Sequence, residues 1–213
     1  MSIVPPMGNT RWVRSSADGP AVGETVSLHV GRLHAPFGDI PVVYFHDFGL
    51  DPDALLDGAF DGIFSAITST SYPMLVARLG GTSQWATSDV VGASGWVDDV
   101  LTWAVAQPQL LTRSDRVAVV GVGMGSLNAL NWAWRNPGKV LAVALIAPIV
   151  DADAFYADNP SLQASINADW GSGAAWTAAL PDIDPMHNLD VIRPFAHKMG
   201  LCYGDVDTQI DGA

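Results

Sequence analysis

The sequence predicts an α/β fold, a doubly wound and mostly parallel sheet with helices on both faces, and three observations predict it. Five short apolar runs, "IPVVYFH" (40 to 46), "YPMLVARL" (72 to 79), "RVAVVGV" (116 to 122), "VLAVALIAP" (140 to 148) and "HKMGLCYGD" (197 to 205), lack alternation, as suits parallel strands covered on both sides. Helical spacing occupies intervals between them. Arg116 to Val140, "RVAVVGVGMGSLNALNWAWRNPGKV", passes from β-branched residues through closely spaced glycines to a helical pattern, the outline of a strand, a tight turn and a helix. Strands alternating with helices imply a parallel sheet with right-handed crossovers.

Taken in order, residues 1 to 36 are rich in Gly, Pro and Ser around one alternating stretch, "ETVSLHVGRLH", which predicts an N-terminal hairpin or edge strand. After the second apolar run, Val97, Val100, Leu101 and Ala104 follow helical spacing, with Ser94 as N-cap and Asp98 and Asp99 in the first turn, where the helix dipole favours negative charge. Leu127, Leu130 and Trp134 mark the apolar face of a second helix, and Asn136-Pro137-Gly138 stops it. Residues 150 to 181 contain no strand pattern and read as a small helical excursion over one end of the sheet. The whole chain, 1 to 213, reads as a single domain.

Composition narrows the function classes. A chain of 213 residues with 49% hydrophobic residues can bury a substantial core. Twenty-two acidic against ten basic residues give a formal charge of -12, which repels phosphate backbones and anionic lipid surfaces; neither nucleic acid nor membrane is an expected partner. Residues 117 to 134 carry no charge, but Gly121, Gly123, Gly125, Ser126, Asn128 and Asn131 interrupt them, so no membrane insertion is expected. Met1 to Trp12 lack a basic start and a long apolar run, unlike a secretory signal. Cys202 is the only cysteine, which excludes an internal disulfide and predicts a thiol packed in a buried strand. The carboxylate pairs Asp51/Asp53, Asp151/Asp153, Asp182/Asp184 and Asp205/Asp207 lack the rest of a calcium loop; they read as solvated turns, and no metal or other cofactor is expected. Trp170 and Trp176 read as core aromatics.

In a nucleophile elbow, G-x-S-x-G, glycines let the chain turn so sharply from strand to helix that the middle residue stands clear of the sheet. The five positions here are Gly121-Val122-Gly123-Met124-Gly125. With "PVVYFHDFG" and "GLCYGDVDTQI", this chain resembles the α/β-hydrolase superfamily. The resemblance implies Asp207 as the catalytic acid and the backbone N–H groups of Phe48 and Met124 as oxyanion donors.

Several departures accompany it. Gly123 stands at the nucleophile position and cannot form a covalent intermediate, and Asp47 replaces a customary glycine, placing a carboxylate beside a site meant for developing negative charge. In the family the base follows the acid, whereas His29, His34, His46, His187 and His197 all precede Asp207; the base, with the last strand and helix of that fold, is expected to be missing. Ser126 is an alternative nucleophile, though its first-turn position suits capping of free backbone N–H groups. Gly121-x-Gly123-x-x-Ser126 with Asp151 after the next strand also approaches a dinucleotide fingerprint, but its third position is not Gly or Ala.

The expectation is a catalytically inactive hydrolase-like protein with a structural or binding role. The alternative is an active serine esterase or peptidase-like hydrolase using Ser126 or completed by a longer chain, and a dinucleotide-binding protein stands behind both. An uncovered last strand invites another segment or subunit to cover it, which implies an assembly component. "VDDVLTWA", "LNALNWAWRNPGKVLAVALIAPIVDADAFY" and "ASINADWGSGAAW" resemble hydrolase-like tail-associated proteins of phages infecting actinobacteria. That narrower resemblance implies an oligomeric virion component at the tail tip or baseplate, with a host-surface contact; without it, a cytoplasmic location is expected.

Overall fold

The β-branched run of the central segment forms the strand expected of it, and its neighbours assemble around it. The structure, a computed structural model, describes residues 3–4, 11–14, 26–30, 42–45, 47, 74–77 and 116–202. Its strands are β1 (Ile3–Val4), β2 (Arg11–Arg14), β3 (Val26–Val30), β4 (Val42–Phe45), β5 (Met74–Ala77), β6 (Val117–Val122), β7 (Val140–Ile146) and β8 (Met199–Cys202). They form one sheet in the order β1-β2-β3-β5-β4-β6-β7-β8.

Pairing is parallel from β5 through β4, β6 and β7 to β8. β1, β2 and β3 add an antiparallel meander beside β5, so the single N-terminal alternating stretch of the sequence is joined by two shorter strands. The helical segment expected to begin at Ser94 lies outside the described residues.

Strand order reverses around β4, with β5 on one side and β6 on the other. In open α/β sheets, ligands bind beyond the carboxyl ends of the strands at such a reversal. Register defines what meets there: Val43 lies opposite Val119 and Phe45 opposite Gly121. The residues just past both strands, Asp47 and Gly123, therefore converge.

Helix α1 (Gly125–Arg135) follows β6, and each of its residues from Gly125 to Trp134 is buried. Ala129, Leu130, Trp132 and Ala133 pack with Val43, Phe45, Val117, Val119, Val143 and Leu145 into the main core. Gly121 is what permits this closeness. A Cβ there would lie 2.6 Å from Ser126 Cα and 2.7 Å from Ala129 Cβ, far inside van der Waals contact. The helix stops at Asn136, whose side chain donates to Trp132 O at 3.0 Å, one residue before Pro137, which could not continue it.

The excursion comprises α2 (Ala152–Asp158), α3 (Pro160–Trp170) and α4 (Gly173–Ile183). Asp151 caps α2 through Ala154 N at 2.8 Å and Ser172 caps α4 through Ala175 N at 3.1 Å. It runs slightly past its expected limit of 181, because Pro181 is accommodated inside the last turn of α4. Asn131 of α1 ties it down: its buried amide donates to Leu127 O at 2.9 Å and Ile183 O at 2.8 Å. A 3-10 turn (Pro185–Asn188), the one-turn α5 (Leu189–Ile192) and a second 3-10 turn (Arg193–Lys198) lead to β8.

Two expectations need correction here. Burial on both sides holds for the central strands, where Val42, Val43, Tyr44 and Phe45 are all buried, but not for β7, whose Ala142 and Ala144 are exposed. Cys202 is likewise exposed rather than packed inside. β8 is the outermost strand of this sheet and pairs only with β7 among the described residues, so Gly200, Leu201 and Cys202 all face solvent, Leu201 at 58%. No helix among the described residues is long and apolar enough to cross a membrane.

Candidate functional site

The bend from β6 into α1 is built by backbone before any side chain contributes. Gly123 has φ +52°, the left-handed region where a Cβ is unfavourable. Its N–H donates to Ile146 O at 2.9 Å, and its carbonyl accepts the N–H of Ser126 at 3.0 Å. Position 123 therefore stands at the strand-to-helix bend where the G-x-S-x-G spacing predicts the nucleophile. A second positive φ, at Ala147 (+46°), follows the adjacent strand; there the chain turns with Ala147 N–H donating to Cys202 O at 2.7 Å. Nothing in the local sequence signals that strained residue.

Into this bend projects Asp47. Its Oδ1 accepts the N–H of Met124 at 2.9 Å, across 77 residues of sequence. A Cβ placed on Gly123 would overlap Oδ1, Cγ and Oδ2 of the same carboxylate. The volume that a side chain at position 123 would fill thus belongs to Asp47. The contact has an electrostatic reason: α1 has no acidic residue in its first turn and no side-chain cap of its own, leaving the positive end of its dipole uncompensated. A carboxylate there stabilises by roughly 0.3–1 kcal/mol at an exposed site and up to about 2 when partly buried.

This arrangement corrects the role implied for Met124. Its N–H is engaged by the chain's own carboxylate rather than open to a substrate oxygen. Phe48, the other implied oxyanion donor, and Asp207, the implied acid, lie outside the described residues, as do His34 and His46. His187 is exposed, its ring 3.7 Å from the Asp184 carboxylate, and His197 is exposed on the second 3-10 turn.

Ser126 also differs from expectation. It is fully buried, and its Oγ donates to Gly123 O while accepting the N–H of Ile149 at 2.9 Å. It is neither an exposed nucleophile nor a cap for free N–H groups; the N-cap position is Met124. The hydroxyl clamps the bend to the segment that enters the excursion. Met124 and Leu127 pack onto Ile149, Ala152, Ile166, Trp176, Leu180 and Ile183, so the excursion roofs the bend directly. Trp176, edge-on to Trp170 at 5.7 Å and stacked on Tyr156 at 5.9 Å, is core, as expected.

The dinucleotide fingerprint finds its elements otherwise engaged. Asp151 caps α2, and a carboxylate rather than free N–H groups stands where a pyrophosphate would approach. Of the described carboxylate pairs, Asp184 is buried, its Oδ1 accepting the N–H of Met186 at 3.0 Å, instead of lying in a solvated turn.

Tyr44 is fully buried on β4. Its phenol is pushed up to about 12, chiefly by burial and further by the negative charge of Asp47. With a folded value above the unfolded value of about 10, this group's stabilisation is complete below pH 10 and disappears as pH rises toward 12. Wild-type stability should fall by roughly 2 kcal/mol over that interval, and Tyr44→Phe should remove that part of the fall in urea titrations at stepped alkaline pH. Ser126→Ala should cost about 1–3 kcal/mol, because the buried Ile149 N–H loses its acceptor; its midpoint in urea at neutral pH reads this directly.

No family model matches the sequence, and no curated protein does. Solved structures do match. An S-formylglutathione hydrolase from Agrobacterium tumefaciens superposes with TM-score 0.67 at 14% identity, over 99% of this chain and 82% of that one. S-formylglutathione hydrolase (FrmB) from Staphylococcus aureus gives TM-score 0.64 at 12% identity, covering 94% and 82%. MPT51 from Mycobacterium tuberculosis gives 0.61 at 14% identity, covering 90% and 73%. With the parallel sheet, its reversal at β4 and the bend after β6, these likenesses establish that the chain has the α/β-hydrolase fold.

Proposed function

We propose that this chain uses the α/β-hydrolase fold without serine catalysis and serves as a structural or binding component of a larger assembly. One observation carries the reading: the carboxylate of Asp47 fills the space above Gly123 and takes the N–H of Met124. Without an oxygen at position 123 no acyl intermediate forms there, and with the donor engaged a tetrahedral oxyanion has one fewer place to settle.

A second reading is favoured by the comparisons, whose matches include S-formylglutathione hydrolases and an esterase B from Lactobacillus rhamnosis. Under it the chain is an active hydrolase with its nucleophile elsewhere. At 12–14% identity the likeness is one of fold, and function resides in the site. That reading uses Ser126 or is completed by a longer chain; Ser126 is buried with its hydroxyl engaged on both sides.

The assembly part of the proposal rests on β8, the outermost strand among the described residues, whose Gly200, Leu201 and Cys202 are exposed, and on the resemblance to phage tail-associated proteins. The proposed partner is another protein subunit lying along that strand, within a virion that meets a host surface. Amides of residues 199–202 should exchange slowly in the assembled particle and at least tenfold faster in the isolated chain; equal rates in both would exclude this edge as the covered one.

For catalysis, the wild-type protein should neither react with a fluorophosphonate probe nor hydrolyse a short-chain nitrophenyl ester above the buffer rate. Labelling or turnover that disappears in Ser126→Ala would reverse the proposal in favour of the active hydrolase. Gly123→Ser should also stay inactive and should lose roughly 2–4 kcal/mol of stability, combining the left-handed backbone with the overlap on Asp47.

A further inference from the structure

We propose that a second copy of this chain pairs antiparallel with β8, joining two sheets across a twofold axis that passes through Leu201. The inference rests on the assembly reading and goes beyond it by naming the partner and the register.

β8 lacks the devices that close an edge strand to other chains. Met199–Cys202 contains neither a charge nor a proline, the residues that ordinarily blunt such an edge. The adjoining charge is turned inward, with Lys198 Nζ donating to Val140 O at 2.9 Å. The strand is open on both faces, Leu201 being exposed on one and Gly200 and Cys202 on the other. The crossovers from β6 to β7 and from β7 to β8 run the same way across the sheet and so share a face; Ile192 and Met199 accordingly join the core with α1. Neither crossover reaches the outer edge of β8. Of the five large hydrophobic side chains exposed among the described residues, four, Met186, Leu189, Val191 and Leu201, lie in β8 or the segment leading to it, a concentration that marks an interaction surface.

The free backbone groups set the pairing. Ala147 donates its N–H to Cys202 O at 2.7 Å, so Cys202 and, by alternation, Gly200 direct their backbone groups toward β7. Met199 and Leu201 direct theirs outward. Antiparallel pairing centred on Leu201 lets that residue exchange both hydrogen bonds with the partner's Leu201 and sets Gly200 opposite the partner's Cys202. Charge selects a second copy in this sense. Arg193, His197 and Lys198 precede β8, whereas Asp205, Asp207 and Asp211 follow it. Antiparallel self-pairing lays the basic end of one copy beside the acidic end of the other, while a parallel alignment sets like charges together. So short a contact makes a weak dimer in solution, strengthened wherever an assembly holds copies side by side.

The test uses the full chain at about 0.15 M salt, which screens its net charge beyond roughly 8 Å. Sedimentation between about 1 μM and 1 mM should give a reversible monomer–dimer equilibrium, and the Met199 and Leu201 amides should exchange at least tenfold more slowly at the high end. The dilute monomer is the isolated chain whose edge exchanges fast. Leu201→Lys sets like charges opposite each other and should weaken the dimer at least tenfold, with unchanged circular dichroism because Leu201 is already 58% exposed. Gly200→Cys, whose Cβ meets nothing nearer than Val143 O at 4.0 Å, should form a disulfide with the partner's Cys202 in oxidised glutathione; wild type should not cross-link. A chain that stays monomeric throughout the range overturns the proposal. So does a Leu201→Lys dimer as tight as wild type, or a Gly200→Cys dimer that does not cross-link. If Leu201→Lys does not fold, the Gly200→Cys cross-link decides. Slow edge exchange in the particle together with a monomeric chain identifies a different protein as partner, which overturns this inference and leaves the assembly reading standing. Equal exchange in the particle and the dilute monomer removes that reading itself.

Discussion

The hydrogen bond from Met124 N–H to the Asp47 carboxylate joins the two ends of the sheet reversal, and most of what distinguishes this protein follows from it. Two strands that are adjacent in space but far apart in sequence meet at their carboxyl ends. A negative side chain from one meets the positive start of the helix that leaves the other. The attraction is ordinary for a helix terminus, but here it occupies the place where the fold otherwise presents a reactive group. Glycine at 123 is thereby required twice, by its left-handed φ and by the carboxylate seated against it. Either residue constrains the other, so changes at the two positions should couple energetically rather than add.

The bend is secured from its far side by Ser126. A buried hydroxyl with a carbonyl acceptor and an amide donor is itself satisfied in both roles and fastens the start of α1 to the entry of the excursion. The excursion in turn buries Met124 and Leu127 and anchors its last helix through Asn131. The region that resembles an active site is consequently braced by backbone bonds, a serine clamp and an apolar roof.

Likeness of fold and likeness of chemistry belong to different levels. Superposition over nearly the whole chain reports the order and twist of strands, which depend on distributed apolar packing and tolerate extensive substitution. Hydrolysis depends on a few atoms: an oxygen at the bend, a free donor and a base. The residues at 47 and 123 set what stands at the bend, and neither takes part in the pairing of the sheet. An intact fold therefore carries no information about whether the chemistry has survived.

The sequence by itself determined the parallel core, the bend at Gly123 and the stop of α1, because each is written locally: unalternating β-branched runs, glycines at fixed spacing, and Asn136-Pro137-Gly138. It also made visible that Asp47 stands near a site for negative charge. Where Asp47 points, that Ser126 is a buried clamp, that Ala147 is strained and that Cys202 is exposed were decided only by tertiary structure. Each depends on a partner distant in sequence, 77 residues away for Asp47 and 23 for Ser126, or on a strand's place in the sheet order. Hydrophobic pattern records whether a residue type favours burial. It does not record which strand ends up at the edge, or which distant backbone N–H a carboxylate will meet.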